Sequence, residues 1–128
     1  MTLTFTVAMT GAAPGGGSFS VNYPPSPGRS CGSWFSSGGY SLPQIAETVG
    51  GQYFFMVVWL KPGQYHGPGT YSVPWTALLE TVDLGSHDFN VIGGKLTMRS
   101  NGSGSLTFSH ANDVLGNLDA GTVAWTCS

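Results

Sequence analysis

A chain of 128 residues and 13.3 kDa is one domain's worth of polypeptide, long enough to bury roughly two-thirds of its unfolded surface in a single core. Only 8% of its residues are charged, against ~25% in an average protein, and with Gly 20 and Pro 8 strong helix formers are scarce. Six acids and four bases leave a net charge of -2 with no run of Lys or Arg, which argues against an electrostatic grip on nucleic acid. The longest apolar run, Phe54 to Leu60, is far shorter than the ~20 residues of a membrane-spanning helix.

Along the chain the dominant period is two. Leu3, Phe5, Val7 and Met9 alternate with Thr2, Thr4 and Thr6 and predict a half-buried strand. The stretch Gly11 to Gly17 breaks it, and Phe19, Val21 and Tyr23 then alternate as a second strand, ended by Pro24 and Pro25. Residues 26–39, rich in Ser, Gly and Pro around Cys31, Trp34 and Phe35, read as a long surface loop. Leu42 to Val49 fits either a helical turn or a bent strand. Gln52 to Lys61, apolar at successive positions, predicts a central strand covered on both sides.

Pro62 to Gly69 forms a turn carrying Tyr65 and His66, and Tyr71, Val73 and Trp75 alternate after it. Leu78 to Val82, Phe89 to Ile92 and Lys95 to Arg99 supply further short strands. The last of these joins Ser105 to Ser109 through Asn101-Gly102, a hairpin with Leu96, Met98, Leu106 and Phe108 inward and Lys95, Thr97, Arg99, Ser105, Thr107 and Ser109 outward. Positive φ is expected at both turn residues. His110 to Ala120 reads as irregular, and Gly121 to Cys127 as a closing strand with Val123 and Trp125 inward. The sum is a single all-β domain over residues 1–128, an antiparallel β-sandwich or flattened β-barrel of eight or nine short strands.

Cys31 and Cys127 lie 96 residues apart, outside any metal-ligand or redox spacing, so the alternatives are a disulfide and two buried free thiols. A charge-poor, Ser/Thr/Gly-rich composition and the terminal position of Cys127 favour the disulfide and an extracytoplasmic location. The chain opens at Met1 directly into a strand pattern, so the leader that export requires is expected upstream of this sequence. A cytosolic protein is the alternative, and a lipid-modified cysteine upstream stays open.

The segments Gly67-Pro68-Gly69-Thr70-Tyr71, Gly102 to Phe108 and Gly121 to Cys127 together resemble the C-terminal part of small exported bacterial proteins and lipoproteins of undefined function. The resemblance covers less than half of the chain. It implies an extracytoplasmic β-sandwich whose last cysteine bridges back to an earlier one, and it brings no activity.

Catalytic signatures are thin. His66, His87 and His110 lack metal-ligand spacing, so no metal or cofactor is expected. His87-Asp88 is able to cooperate only in a turn, and no nucleophile elbow is present. Glycosidase chemistry would draw two carboxylates from Glu47, Glu80, Asp83, Asp88, Asp113 and Asp119. Asn112, Asp113, Asn117 and Asp119 fit turn chemistry better than a calcium loop.

What departs from the average is the placing of aromatics in uncharged loops. Trp34, Tyr40, Tyr65, His66 and Trp75 are the expected ligand contacts, with caps on the core as the competing role for the tryptophans. The expectation is a non-catalytic exported module that binds a glycan, an apolar small molecule or a protein through those loops. The alternatives are a small extracytoplasmic enzyme using His66 or His87 with a carboxylate or Tyr65, and a structural or adhesive surface module with exposed strand edges.

Overall fold

The computed structural model describes residues 1–11, 14–25, 30–32, 35–36, 39–42, 44–60, 63–72, 77–82, 87–112 and 115–128; for 35–36, 39–41, 77–82, 87–92 and 110–112 the description is of the backbone alone. Their regular structure is entirely β. The strands are β1 (Thr2–Gly11), β2 (Gly15–Asn22), β3 (Phe35–Ser36), β4 (Gly39–Ser41), β5 (Ile45–Val49), β6 (Gln52–Leu60), β7 (Gly69–Ser72), β8 (Ala77–Val82), β9 (His87–Met98), β10 (Gly104–Asn112) and β11 (Leu118–Cys127). They pair antiparallel in the order β2-β1-β11-β10-β9-β8-β6-β4-β3, with β5 also on β6 and β7 also on β9. No helix of the described residues is long and apolar enough to cross a membrane.

Inward alternation explains the pairing. Phe5 lies opposite Trp125 and Val7 opposite Val123, and on the next strands Leu106 meets Val123 and Leu96. All of these are buried, so a one-residue slip of any strand would turn its apolar set out to water. The sheet folds over on itself. Phe19 of β2 sits 6.1 Å from Phe54 of β6, ring centre to ring centre, and the Gln52 amide donates to the Pro14 carbonyl at 3.2 Å. The two ends of the sheet thus meet around one core, in the sandwich or flattened-barrel architecture.

Several boundaries differ from the sequence reading. Within the ambiguous stretch from Leu42 to Val49, Ile45–Val49 forms strand β5, because Gly50 and Gly51, with φ of 58° and 81°, supply the two positive-φ residues of a tight hairpin into β6. The 26–39 loop contains β3 and begins β4. The two short runs around residues 89–99 are one long strand, β9, carried through Gly93-Gly94 by pairing with β10. Much of 110–120 is also strand, since β10 continues to Asn112 and β11 begins at Leu118. At the Asn101-Gly102 turn only Gly102 has positive φ, 82°; Asn101 instead accepts the Ser103 amide on Oδ1 at 3.1 Å.

The disulfide is present. Cys31 and Cys127 are bonded with Cα atoms 5.6 Å apart, and the described residues include no free cysteine. Around it the hairpin turn, the Cys31 segment and the last strand lock together. The Trp125 indole N–H donates to the Gly102 carbonyl at 3.1 Å, and the Cys127 amide donates to Ser103 Oγ at 3.2 Å.

Candidate functional site

Two of the expected contacts, Tyr65 and His66, lie on the turn between β6 and β7. This turn folds over Tyr71, which is buried with its hydroxyl directed back at the turn. The Tyr71 hydroxyl donates to the Gly67 carbonyl at 2.5 Å and accepts the His66 amide at 2.9 Å. The His66 ring stacks on Tyr71 at 4.4 Å, and Tyr65 lies parallel to Tyr71 at 6.1 Å. Tyr65 is half-buried against the core and His66 is exposed. These rings therefore clamp the turn against Tyr71.

Desolvation, with a smaller contribution from Tyr71, raises the Tyr65 phenol above its ordinary 10.0. A raised native value means that the folded state holds the proton longer than the unfolded chain does. The contribution of the neutral phenol is then complete below pH 10 and is lost as pH climbs through the raised value. Tyr65→Phe is expected to gain on the wild type in melting temperature between pH 8 and pH 11; parallel losses in the two proteins would show that Tyr65 plays no part.

Tyr40 stands on β4 opposite Leu60 of β6, while Trp34 and Trp75 lie outside the described residues. His87 and Asp88 occupy consecutive positions of β9, not the turn their cooperation requires. Among the described residues no group of three His, Cys, Asp or Glu is placed to hold a metal ion. Of the six acids, Glu80 and Asp88 stand directly opposite one another across β8 and β9.

The surface that sequence reasoning missed is the outer face of β6. Phe54, Met56, Val58 and Leu60 point into the core, whereas the alternate set does not meet a second layer among the described residues. Tyr53 is 38% exposed and Trp59 45%, with half-buried Phe55 and Val57 between them. The expectation of a strand covered on both sides is corrected accordingly. No alternation marks this face, because an all-apolar run reads the same whether its second face is covered or bare. On neighbouring strands the register sets Ala46 and Glu80 beside Phe55, and Thr48 and Val82 beside Tyr53. With Asp88 next to Glu80, one row across four strands carries an aromatic ring position and two acids.

The opposite half of the sheet presents a different surface. Thr2, Thr4 and Thr6 bond across to Asn22, Ser20 and Ser18 at 2.7, 2.9 and 3.2 Å, and Thr70 bonds to Thr97 at 3.1 Å. No protein family, curated protein or solved structure matches this chain.

Proposed function

We propose that the protein is a non-catalytic, extracytoplasmic binding module that takes a neutral glycan chain along the outer face of β6. The observation that carries this reading is the row Tyr53, Phe55, Val57, Trp59, whose two end rings stand in solvent on a strand otherwise built into the core. Six residues of strand separate those rings by about 20 Å, the length of several linked sugars. Each ring offers an apolar face for stacking on a sugar and a polar tip that bonds its hydroxyls. The acids at the Phe55 row position are of the type that accepts hydrogen bonds from hydroxyls. The disulfide supports a location outside the reducing cytoplasm.

The test is affinity electrophoresis against hydroxyethylcellulose, soluble mannan and soluble starch, with isothermal titration on any polysaccharide that retards the protein. Trp59→Ala and Tyr53→Ala are each expected to weaken binding about tenfold, corresponding to ~1.4 kcal/mol. Their melting temperatures should stay near wild type, since neither ring is in the core. Release of reducing ends during the titration would replace the binding module with an enzyme. A panel that neither retards the protein nor shifts its tryptophan fluorescence would overturn the reading.

A further inference from the structure

A second surface, independent of β6, carries a cleft of its own. Between β9 and β10 the register breaks after Phe108: this residue pairs with Gly94 and Gly121, and the next paired positions are His110 with Gly93 and Ala111 with Asp119. Ser109 is therefore the extra residue of a β-bulge, a device that bends a strand and re-aims a side chain. On the neighbouring strand the bulge faces Gly93-Gly94, two consecutive residues without side chains. Glycines inside a strand mark bulges and places where another molecule approaches the backbone closely.

Bulge and glycines together open a cleft of about 350 Å³, lined by Ser72, Gly93, Gly94, Lys95, Thr107 and Ser109. A smaller cleft of about 210 Å³ adjoins it through Ser109 and reaches Thr10 and the buried Asp119. Lys95 is the only charged side chain described in the larger cleft, and it is exposed. Its register neighbours are Ser72 on β7 and Thr107 on β10, so a hydroxyl-bearing residue stands on either side of it across the sheet. A third hydroxyl, from Ser109, stands at the bulge.

We infer that this cleft is a binding site for a small hydroxylated carboxylate of the uronic-acid class. The carboxylate sits on the Lys95 ammonium, a compact point charge with three donors that suits a single anionic group. The ligand's hydroxyls exchange hydrogen bonds with Ser72, Thr107 and Ser109, each both donor and acceptor. The glycine pair leaves room for one ring, and the volume falls in the range of small-molecule pockets.

The experiment follows backbone amide signals by NMR in the unreduced full chain during titration with D-glucuronate, D-glucose and acetate. Glucuronate is expected to shift the amides of Gly93, Gly94, Lys95, Thr107 and Ser109 saturably, with Kd of about 1 mM, and both glucose and acetate to bind about tenfold more weakly. Raising the salt concentration should weaken glucuronate alone among the two sugars. Lys95→Ala should cost about tenfold for glucuronate at unchanged melting temperature, and Lys95→Arg should recover part of it. Absence of saturable shifts at these amides, an unaffected Lys95→Ala variant, or acetate binding as tightly as glucuronate would each overturn the inference. Trp59→Ala leaves this titration unchanged, so failure of the β6 reading and failure of this one are separate outcomes.

Discussion

Replacing Cys31 and Cys127 together by serine is expected to remove up to about 4.7 kcal/mol of stability. The bond closes a loop of 96 residues, so without it the unfolded ensemble regains nearly the full conformational freedom of the domain. For a protein of this size the corresponding fall in melting temperature is about 15–25 °C. Local contacts follow the same direction. Cys127 ends the strand that crosses the middle of the core, and its amide is held by Ser103 of the hairpin turn. The terminal pairing of Thr2 with Ser128, at 2.7 and 3.0 Å, lies just beyond the bridge and frays when it is lost. Urea unfolding of the wild type and the double variant, with and without reductant, measures the effect. Reductant should bring the wild type down to the variant and leave the variant where it is, and an unreduced mass two hydrogens below the reduced one identifies the bond. A loss under about 1 kcal/mol would mean that the unfolded chain is already compact around this segment.

Trp125→Ala is expected to cost about 3–5 kcal/mol, comparable to the disulfide though confined to one side chain. Trp125 is among the largest fully buried residues, packed against Phe5 at 6.3 Å between ring centres. Its indole also satisfies the Gly102 carbonyl inside the protein. Trp125→Phe keeps most of the apolar contact but strands that carbonyl, so about 1–3 kcal/mol is expected from the missing hydrogen bond. The site has no slack in the other direction. A Cβ at Gly104 would lie 2.5 Å from the Trp125 ring and 2.5 Å from the Thr97 carbonyl oxygen, so Gly104→Ala forces the hairpin and the ring apart. The fall in denaturant midpoint should be largest for Trp125→Ala and smaller for Trp125→Phe and Gly104→Ala. A Trp125→Phe variant as stable as wild type would show that water reaches the Gly102 carbonyl. Because Trp125 and Cys127 share the Gly102–Ser103 turn, their losses should fall short of additive when combined.

Period-two alternation in the sequence determined the fold class and most of the inward face. Leu3, Phe5, Val7, Met9, Leu96, Leu106, Phe108, Val123 and Trp125 are buried as the pattern requires, because in a strand the side a residue faces is a matter of parity alone. The hairpin from Lys95 to Ser109 was legible for the same reason, strengthened by a turn whose residues leave few conformations. Composition and the place of Cys127 pointed to the disulfide. What only the tertiary structure decided is how far each strand runs and what lies beyond its second face. Glycines are poor strand formers in isolation, yet Gly93 and Gly94 are held in β9 by hydrogen bonding to β10 on one side. Ala111 and Asn112, in a polar stretch, are strand because β9 and β11 offer them partners. The outer face of β6 shows the limit most plainly: Tyr53 and Trp59 belong to the same unbroken aromatic and aliphatic run as Phe54 and Met56, and only the curl of the sheet determines which set has a layer opposite it. The bulge at Ser109, and with it the Lys95 cleft, depends on the register among β9, β10 and β11, and no single segment contains it.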